Sequence, residues 1–182
     1  EKEFLIKIAE KCEKERVRLV LDECFVQFLT SGEEASMQLE TGRFRYLFVL
    51  QAFTKIYAVP GIRLGYGISS DKALLERMET VRQPWSVSTP AQAAGLSALK
   101  EDHREEQTRQ LVKSERERME KELENLRIEY IPSEANFLLF NIEINWFEEL
   151  KKRGILIRDC ANYRGLGNGW YRMAVRLPEE ND

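Results

Sequence analysis

The chain has 182 residues, room for about one large domain or one and a half small ones. A hydrophobic fraction of 43% can fill a core, and 28 Lys plus Arg against 31 Asp plus Glu leave a net charge of -3, with no basic stripe for nucleic acid or an acidic membrane. There is no apolar run long enough to span a membrane, and Cys12, Cys24 and Cys160 show neither paired nor metal spacing, which points to a reducing, cytoplasmic compartment.

Phe4, Leu5, Ile8 and Ala9 recur at helical spacing and predict an amphipathic helix over 3–15. Val17-Arg18-Leu19-Val20-Leu21 reads as a short buried strand that ends at the carboxylate pair Asp22-Glu23. A loop at 30–34 follows, then a second strand over 45–51 and a third at Gly65-Tyr66-Gly67-Ile68. Ser70-Asp71 caps a predicted helix over 72–83, and Pro90-Ala91 opens a small-residue helix through Leu99. The run at 101–106 mixes both charge signs and reads as a solvated helix face, with His103 solvated in it.

Residues 107–126 read as a long charged helix with Leu111, Met119, Leu123 and Leu126 on its apolar side. Strands are expected over 127–130, 137–140, 155–158 and 170–175, with a helix over 145–153. Gly165-Leu166-Gly167-Asn168-Gly169 reads as a hairpin or turn, since it does not follow a strand and open a helix. Helices alternating with apolar strands argue for an α/β layer with a mostly parallel sheet, followed by a small α+β unit. The domain change is placed between about residues 100 and 115, on the switch to the long charged helix. Trp85 beside Pro84 reads equally as a lining of the domain junction or as ordinary core.

Active sites in such sheets lie at the carboxyl ends of strands. Lys55 sits there, after the run Tyr46 to Phe53 and before Pro60-Gly61-Ile62-Arg63. Partial burial or a nearby cation makes such an amine nucleophilic toward a cofactor aldehyde. Arg63 is one such cation and also a fork for phosphate oxygens. Asp22, held at the end of an apolar strand, suits a pyridine nitrogen. The ordinary alternatives are a solvated lysine and a turn-capping aspartate. Arg158, Arg172 and Arg176 form a second group, in which Arg172 and Arg176 share a face by period-two alternation, with Ala174 leaving room for an anion between them; surface salt bridging is the competing reading. No Cys/His cluster suggests a metal.

Leu21-Asp22-Glu23-Cys24-Phe25, the run from Phe53-Thr54-Lys55 through Pro60-Gly61-Ile62-Arg63-Leu64-Gly65-Tyr66, and Tyr171-Arg172-Met173-Ala174-Val175-Arg176 together resemble the fold-type I pyridoxal phosphate enzymes, the aspartate aminotransferase superfamily. The resemblance spans essentially the whole chain. It implies residues 1–105 as the C-terminal part of the large cofactor-binding domain and 106–182 as the small C-terminal domain. It implies pyridoxal 5'-phosphate as cofactor, with Lys55 as its covalent anchor, Asp22 on the pyridinium nitrogen and Arg63 on its phosphate. Arg172 is implied as the ligand of the substrate carboxylate.

Two branches are most similar, threonine-phosphate decarboxylase and histidinol-phosphate aminotransferase. The runs Ile157-Arg158-Asp159-Cys160-Ala161-Asn162-Tyr163 and Ile56-Tyr57-Ala58-Val59-Pro60-Gly61 favour the first. There Arg158 and Arg176 are expected to hold the phosphate of a small phosphorylated amino acid, and loss of carbon dioxide gives an aminopropanol phosphate used in cobalamin biosynthesis. Aminotransfer to or from histidinol phosphate or a related amino acid is the alternative, and a non-catalytic fragment is a third. A homodimer is implied. The chain departs from the family pattern at Ala52, where a serine or threonine usually meets the cofactor phosphate, and at Phe25, where a tyrosine often meets the ring oxygen. Both ends read as cut, so the chain is expected to be a C-terminal piece of a longer protein and inactive, or nearly so, alone.

Overall fold

The computed structural model describes residues 2–101 and 103–182; Glu1, Asp102 in the charged run, and the side chain of Glu33 lie outside that description. The chain divides into two compact units, residues 1–106 and 107–182.

In the first unit, α1 (Lys2–Glu15) ends where Arg16 takes a left-handed φ of 56° and the Val17 N–H bonds Cys12 O at 2.9 Å. That turn feeds β1 (Leu19–Asp22), which pairs with β2 (Leu47–Ala52) and, through it, with β3 (Gly65–Ile68). Leu19 and Leu21 face α1, and alternation puts Val20 and Asp22 on the other side. The core between α1 and the sheet is Ala9, Met37, Phe44, Leu47 and Val49, joined by Leu5 and Ile6. Met37, Leu47 and Val49 are fully buried, and each contributes about 1.5–3 kcal/mol by leaving water. On the opposite face Val20 and Leu50 stay 54% and 37% exposed.

The far end of this sheet is tied by Asp71. Its carboxylate accepts from Arg18 Nη2 at 2.5 Å and Arg45 Nη2 at 3.4 Å, and it caps α2 (Lys72–Val81) through the Leu74 N–H. The Arg18 hydrogen bond is the main force holding the Asp71 carboxyl below its ordinary range. Ser88 caps α3 (Thr89–Ala98), with Pro90 in its first turn.

The expected mostly parallel sheet is corrected. Only β1 and β2 run parallel, in register Leu19 to Leu47 through Asp22 to Leu50, while β3 runs antiparallel to β2. A parallel return needs a long crossover, usually a helix. Residues 53–64 instead make turns and one short 3-10 turn, Pro60–Ile62, and come straight back. The helices that suggested alternation precede β1 or follow β3, so none crosses over between paired strands.

In the second unit, α4 (Arg104–Asn125) begins three residues before the unit boundary and supplies its long helix. The four-stranded sheet has the order β4 (Glu129–Ile131), β5 (Phe137–Asn141), β7 (Trp170–Ala174), β6 (Arg158–Asp159), antiparallel throughout. Leu123, Leu138, Phe140 and Tyr171 form its buried centre. α5 (Trp146–Lys152) is capped by Asn145 and brings Trp146 edge-on to Phe140, centroids 5.7 Å apart. Leu126, expected on the apolar side of α4, is exposed, because the helix ends at Asn125 and Arg127 turns left-handed with φ 57°. The strand expected over 155–158 begins only at Arg158; Leu156 is 76% exposed. The glycine run closes the β6–β7 connection as turns. Gly169, at φ 88°, has no room for a Cβ, which would lie 2.9 Å from Ile142 O. The short helix α6 (Pro178–Asn181) follows β7.

Candidate active site

Parallel pairing sets the two candidate groups at one edge. Asp22 is the last residue of β1, and its partner Leu50 lies five residues before Lys55. The Asp22 side chain is exposed, and Oδ1 accepts from the Cys24 N–H at 3.0 Å. Hydrogen bonds from the Cys24 thiol and N–H pull the Asp22 carboxyl below its ordinary range. Partial burial opposes them, and the Lys55 charge adds to the lowering. The Cys24 thiol is pushed up to about 11, first by burial, then by its hydrogen bond to Asp22 and by that carboxylate's charge.

Lys55 lies in the turn after β2, exposed, with Nζ 5.1 Å from the centroid of the Phe25 ring. Phe25, which cannot bond a ring oxygen, thus offers its face to the lysine. The structure brings Asp22 and Lys55 together about Cys24 and Phe25. Arg63 ends the same loop in a left-handed conformation, φ 58° and ψ 48°, with an exposed side chain. The Phe53 N–H bonds Leu64 O at 3.2 Å and closes the loop beside it. Ala52, the last residue of β2, offers only a methyl group.

A buried polar network lies directly behind Asp22. Glu23, Ser36 and Gln51 are all buried, and the Glu23 carboxylate accepts from Ser36 Oγ at 2.5 Å, Met37 N–H at 2.8 Å and Gln51 Nε2 at 3.0 Å. Gln51 Oε1 accepts in turn from Gln27 Nε2 at 2.7 Å. Sequence reading noted Glu23 only as half of a carboxylate pair. The signal that finds it is alternation, since a residue next to an outward aspartate at a strand end turns inward.

In the second unit two of the three arginines grouped from the sequence stand together. Arg158 on β6 and Arg172 on β7 stand opposite each other in register. Their charges both act on the buried Cys160 thiol, which burial pushes up. The Arg172 guanidinium lies 5.0 Å from the Phe137 ring centroid and that of Arg158 5.7 Å from Tyr163. Neither takes a carboxylate as an ion-pair partner among the described residues. Like charges directly opposite on a sheet repel, so this pair favours an anion. Arg176 lies beyond the end of β7, and its Nη2 meets Glu180 Oε1 at 2.6 Å.

Comparison with known proteins decides the family. The model of aminotransferase class I and II matches residues 1–182. The chain belongs to that family. Threonine-phosphate decarboxylase of Salmonella typhimurium is 36% identical over 186 residues, covering 100% of this chain and 50% of its own. Histidinol-phosphate aminotransferase 1 of Archaeoglobus fulgidus is 35% identical over 165 residues, 90% of this chain and 49% of its own. Among solved structures, the histidinol-phosphate aminotransferase of Clostridium acetobutylicum matches with a TM-score of 0.93 at 30% identity, over 100% of this chain and 56% of that one. The L-threonine-O-3-phosphate decarboxylase of Porphyromonas gingivalis shares the fold, with a TM-score of 0.87 at 22% identity and the same coverage. This family member thus spans about half the length of the curated relatives it matches. No helix among its described residues is long and apolar enough to cross a membrane, and no described group of His, Cys, Asp and Glu side chains is placed to hold a metal.

Proposed function

We propose that the whole protein uses pyridoxal 5'-phosphate to decarboxylate L-threonine O-3-phosphate. Residues 1–106 are read as part of its larger, cofactor-binding domain and 107–182 as its small domain. The observation that carries this reading is the convergence of Asp22 and Lys55 at one strand edge, with the Asp22 carboxyl held charged by Cys24. That donor set fits the cofactor. A carboxylate that stays ionised suits a protonated pyridine nitrogen, and an exposed amine is free to bond an aldehyde carbon.

When bound, pyridoxal phosphate supplies an electron sink for the bond broken at the substrate's α carbon. Lys55 would hold it and would move a proton at that carbon. Asp22 holds the ring nitrogen. Arg63, exposed at its left-handed turn, forks the cofactor phosphate, offsetting in part the hydroxyl that Ala52 lacks. Arg172 takes the substrate carboxylate, and Arg158, opposite it and with no carboxylate ion-pair partner among the described residues, takes the substrate phosphate. Arg176 is a second phosphate ligand that must first leave Glu180. The Salmonella relative's name supports the decarboxylase reading. The similarity to the Clostridium structure favours a second one, aminotransfer to or from histidinol phosphate. A cytoplasmic homodimer completes the proposal, supported by the family and by three unpaired cysteines.

The test begins with this chain and pyridoxal phosphate, reduced with borohydride and digested. A pyridoxyl group on Lys55, absent in Lys55→Ala, is expected; label spread over surface lysines overturns the anchor. In the whole protein, carbon dioxide release from threonine phosphate without any keto acid supports decarboxylation. Turnover only with a keto acid selects the aminotransferase.

A further inference from the structure

Glu23 has no role in the reading above, yet it is the most fully engaged buried acid near the site. It follows Asp22 directly and turns to the opposite face of the sheet. Its own N–H donates to Leu50 O at 2.9 Å, which continues the β1–β2 ladder one residue past Asp22. Three donors converge on its carboxylate, from Ser36, Met37 and Gln51. Gln51 belongs to β2 and lies four residues before Lys55. One side chain therefore joins the last residues of β1 to the last residues of β2, directly beneath the two groups proposed to hold the cofactor.

A buried carboxylate is expensive unless every lone pair facing the interior meets a donor. An apolar side chain would fill the same space without needing three aligned partners. What the carboxylate adds is direction. It fixes Gln51 against β1 at a defined length, and Gln27 fixes the other end of the Gln51 amide. Asp22 is the last residue of β1 and Lys55 lies three residues past the end of β2, both exposed, with this side-chain link between the two strands beneath them.

We propose that Glu23 is a positioning residue that clamps the end of β1 to β2 through Gln51 and so holds Asp22 in reach of Lys55. It rests on the cofactor roles proposed for Asp22 and Lys55, but it is testable without cofactor. The Asp22 carboxyl is followed by carbon NMR through an acid titration, in the chain and in Lys55→Met. Loss of the lysine charge is expected to raise the Asp22 midpoint. In Glu23→Gln, where a donor NH2 must face at least one of the three donors, the same Lys55→Met step is expected to raise it by less than half as much. Gln51→Met, which severs only the strand-to-strand bond, is expected to do the same, whereas Ser36→Ala leaves the step intact.

An undiminished Lys55 effect in folded Glu23→Gln or Gln51→Met overturns the proposal, as does a parent chain in which Lys55→Met leaves Asp22 unmoved. If Glu23→Gln does not fold, Gln51→Met decides. If Ser36→Ala weakens the coupling as much as Gln51→Met does, the network is general packing and the clamp is refuted. Failure of the cofactor reading shows elsewhere, as absence of pyridoxyl label on Lys55 in the parent chain, with the Asp22–Lys55 coupling still measurable.

Discussion

Cys24 gives a direct reading of the Asp22 edge. Its thiol is half-buried and donates to the Asp22 carboxylate, and its midpoint stands at about 11 where an ordinary thiol stands at 9.0. At pH 8 an ordinary thiol is about one-tenth thiolate and this one about one-thousandth, roughly a 100-fold difference in the reactive form. The assay is iodoacetamide labelling across pH 7–11, with each cysteine followed by peptide mass and the urea-unfolded chain as reference. The midpoint is read rather than the rate, because partial burial also slows access. The native Cys24 midpoint is expected far above the unfolded one. Asp22→Asn removes the charge and the strong acceptor, so the midpoint should fall, yet stay above the unfolded value because burial is the largest cause. Lys55→Met removes the one opposing charge and should raise it. A native midpoint equal to that of the unfolded chain, or no response to Asp22→Asn, refutes this account of the edge.

Phe140→Ala should cost about 3–5 kcal/mol, since the ring is fully buried and faces both Trp146 and Tyr171. Trp85 is already 96% exposed, so urea unfolding followed by tryptophan emission reports Trp146 and Trp170 of the second unit, and a loss below about 1 kcal/mol would contradict the packing described. The Asp22 carboxyl is lowered from 3.8 in the folded chain. Its contribution is therefore full above the unfolded value and lost as pH falls through the folded one. The stability gap between the chain and Asp22→Asn should close on acidification below about pH 4; a gap that widens there reverses the sign. Ala58, which follows Lys55 by three residues, has φ 52°. Ala58→Gly should stabilise by about 0.5–1 kcal/mol, the relief of left-handed strain less the entropy of glycine, checked by the urea midpoint.

The positions of Asp22 at the end of β1 and of Lys55 just past β2 were legible because a run of apolar residues that stops at a polar one marks a strand's end whatever the strand pairs with. Pairing direction has no such mark. The segment Gly65–Ile68 reads the same whether it lies parallel or antiparallel to β2, and only the lack of a helix in 53–64 decides it. Burial of charge was equally hidden. On α4 the run Glu115-Arg116 looks like a solvated face, yet both residues are buried. Glu115 is held by Arg118 and by Asn181, and Arg116 donates to Ala135 O at 3.2 Å. Those partners lie up to 66 residues away in sequence, beyond any local pattern.

The arginines show why spacing alone put Arg172 and Arg176 on one strand face. Alternation joins Arg172 to Arg176 only if β7 continues to Arg176, and it stops at Ala174. Past that point the chain turns into α6, and Glu180, four residues on, captures the guanidinium. Arg172 instead finds its neighbour across the ladder, in Arg158, at the end of the expected strand over 155–158, whose register against β7 no local spacing marks. A cross-strand pair of like charges repels in the absence of an anion and gains when one binds between them, whereas Arg176 must give up an ion pair to take part. An exposed pair of that kind is worth about 0–1 kcal/mol, so release of Arg176 is a small demand. On this balance Arg158 and Arg172 are the residues whose loss should most weaken anion binding, and Arg176 contributes after them.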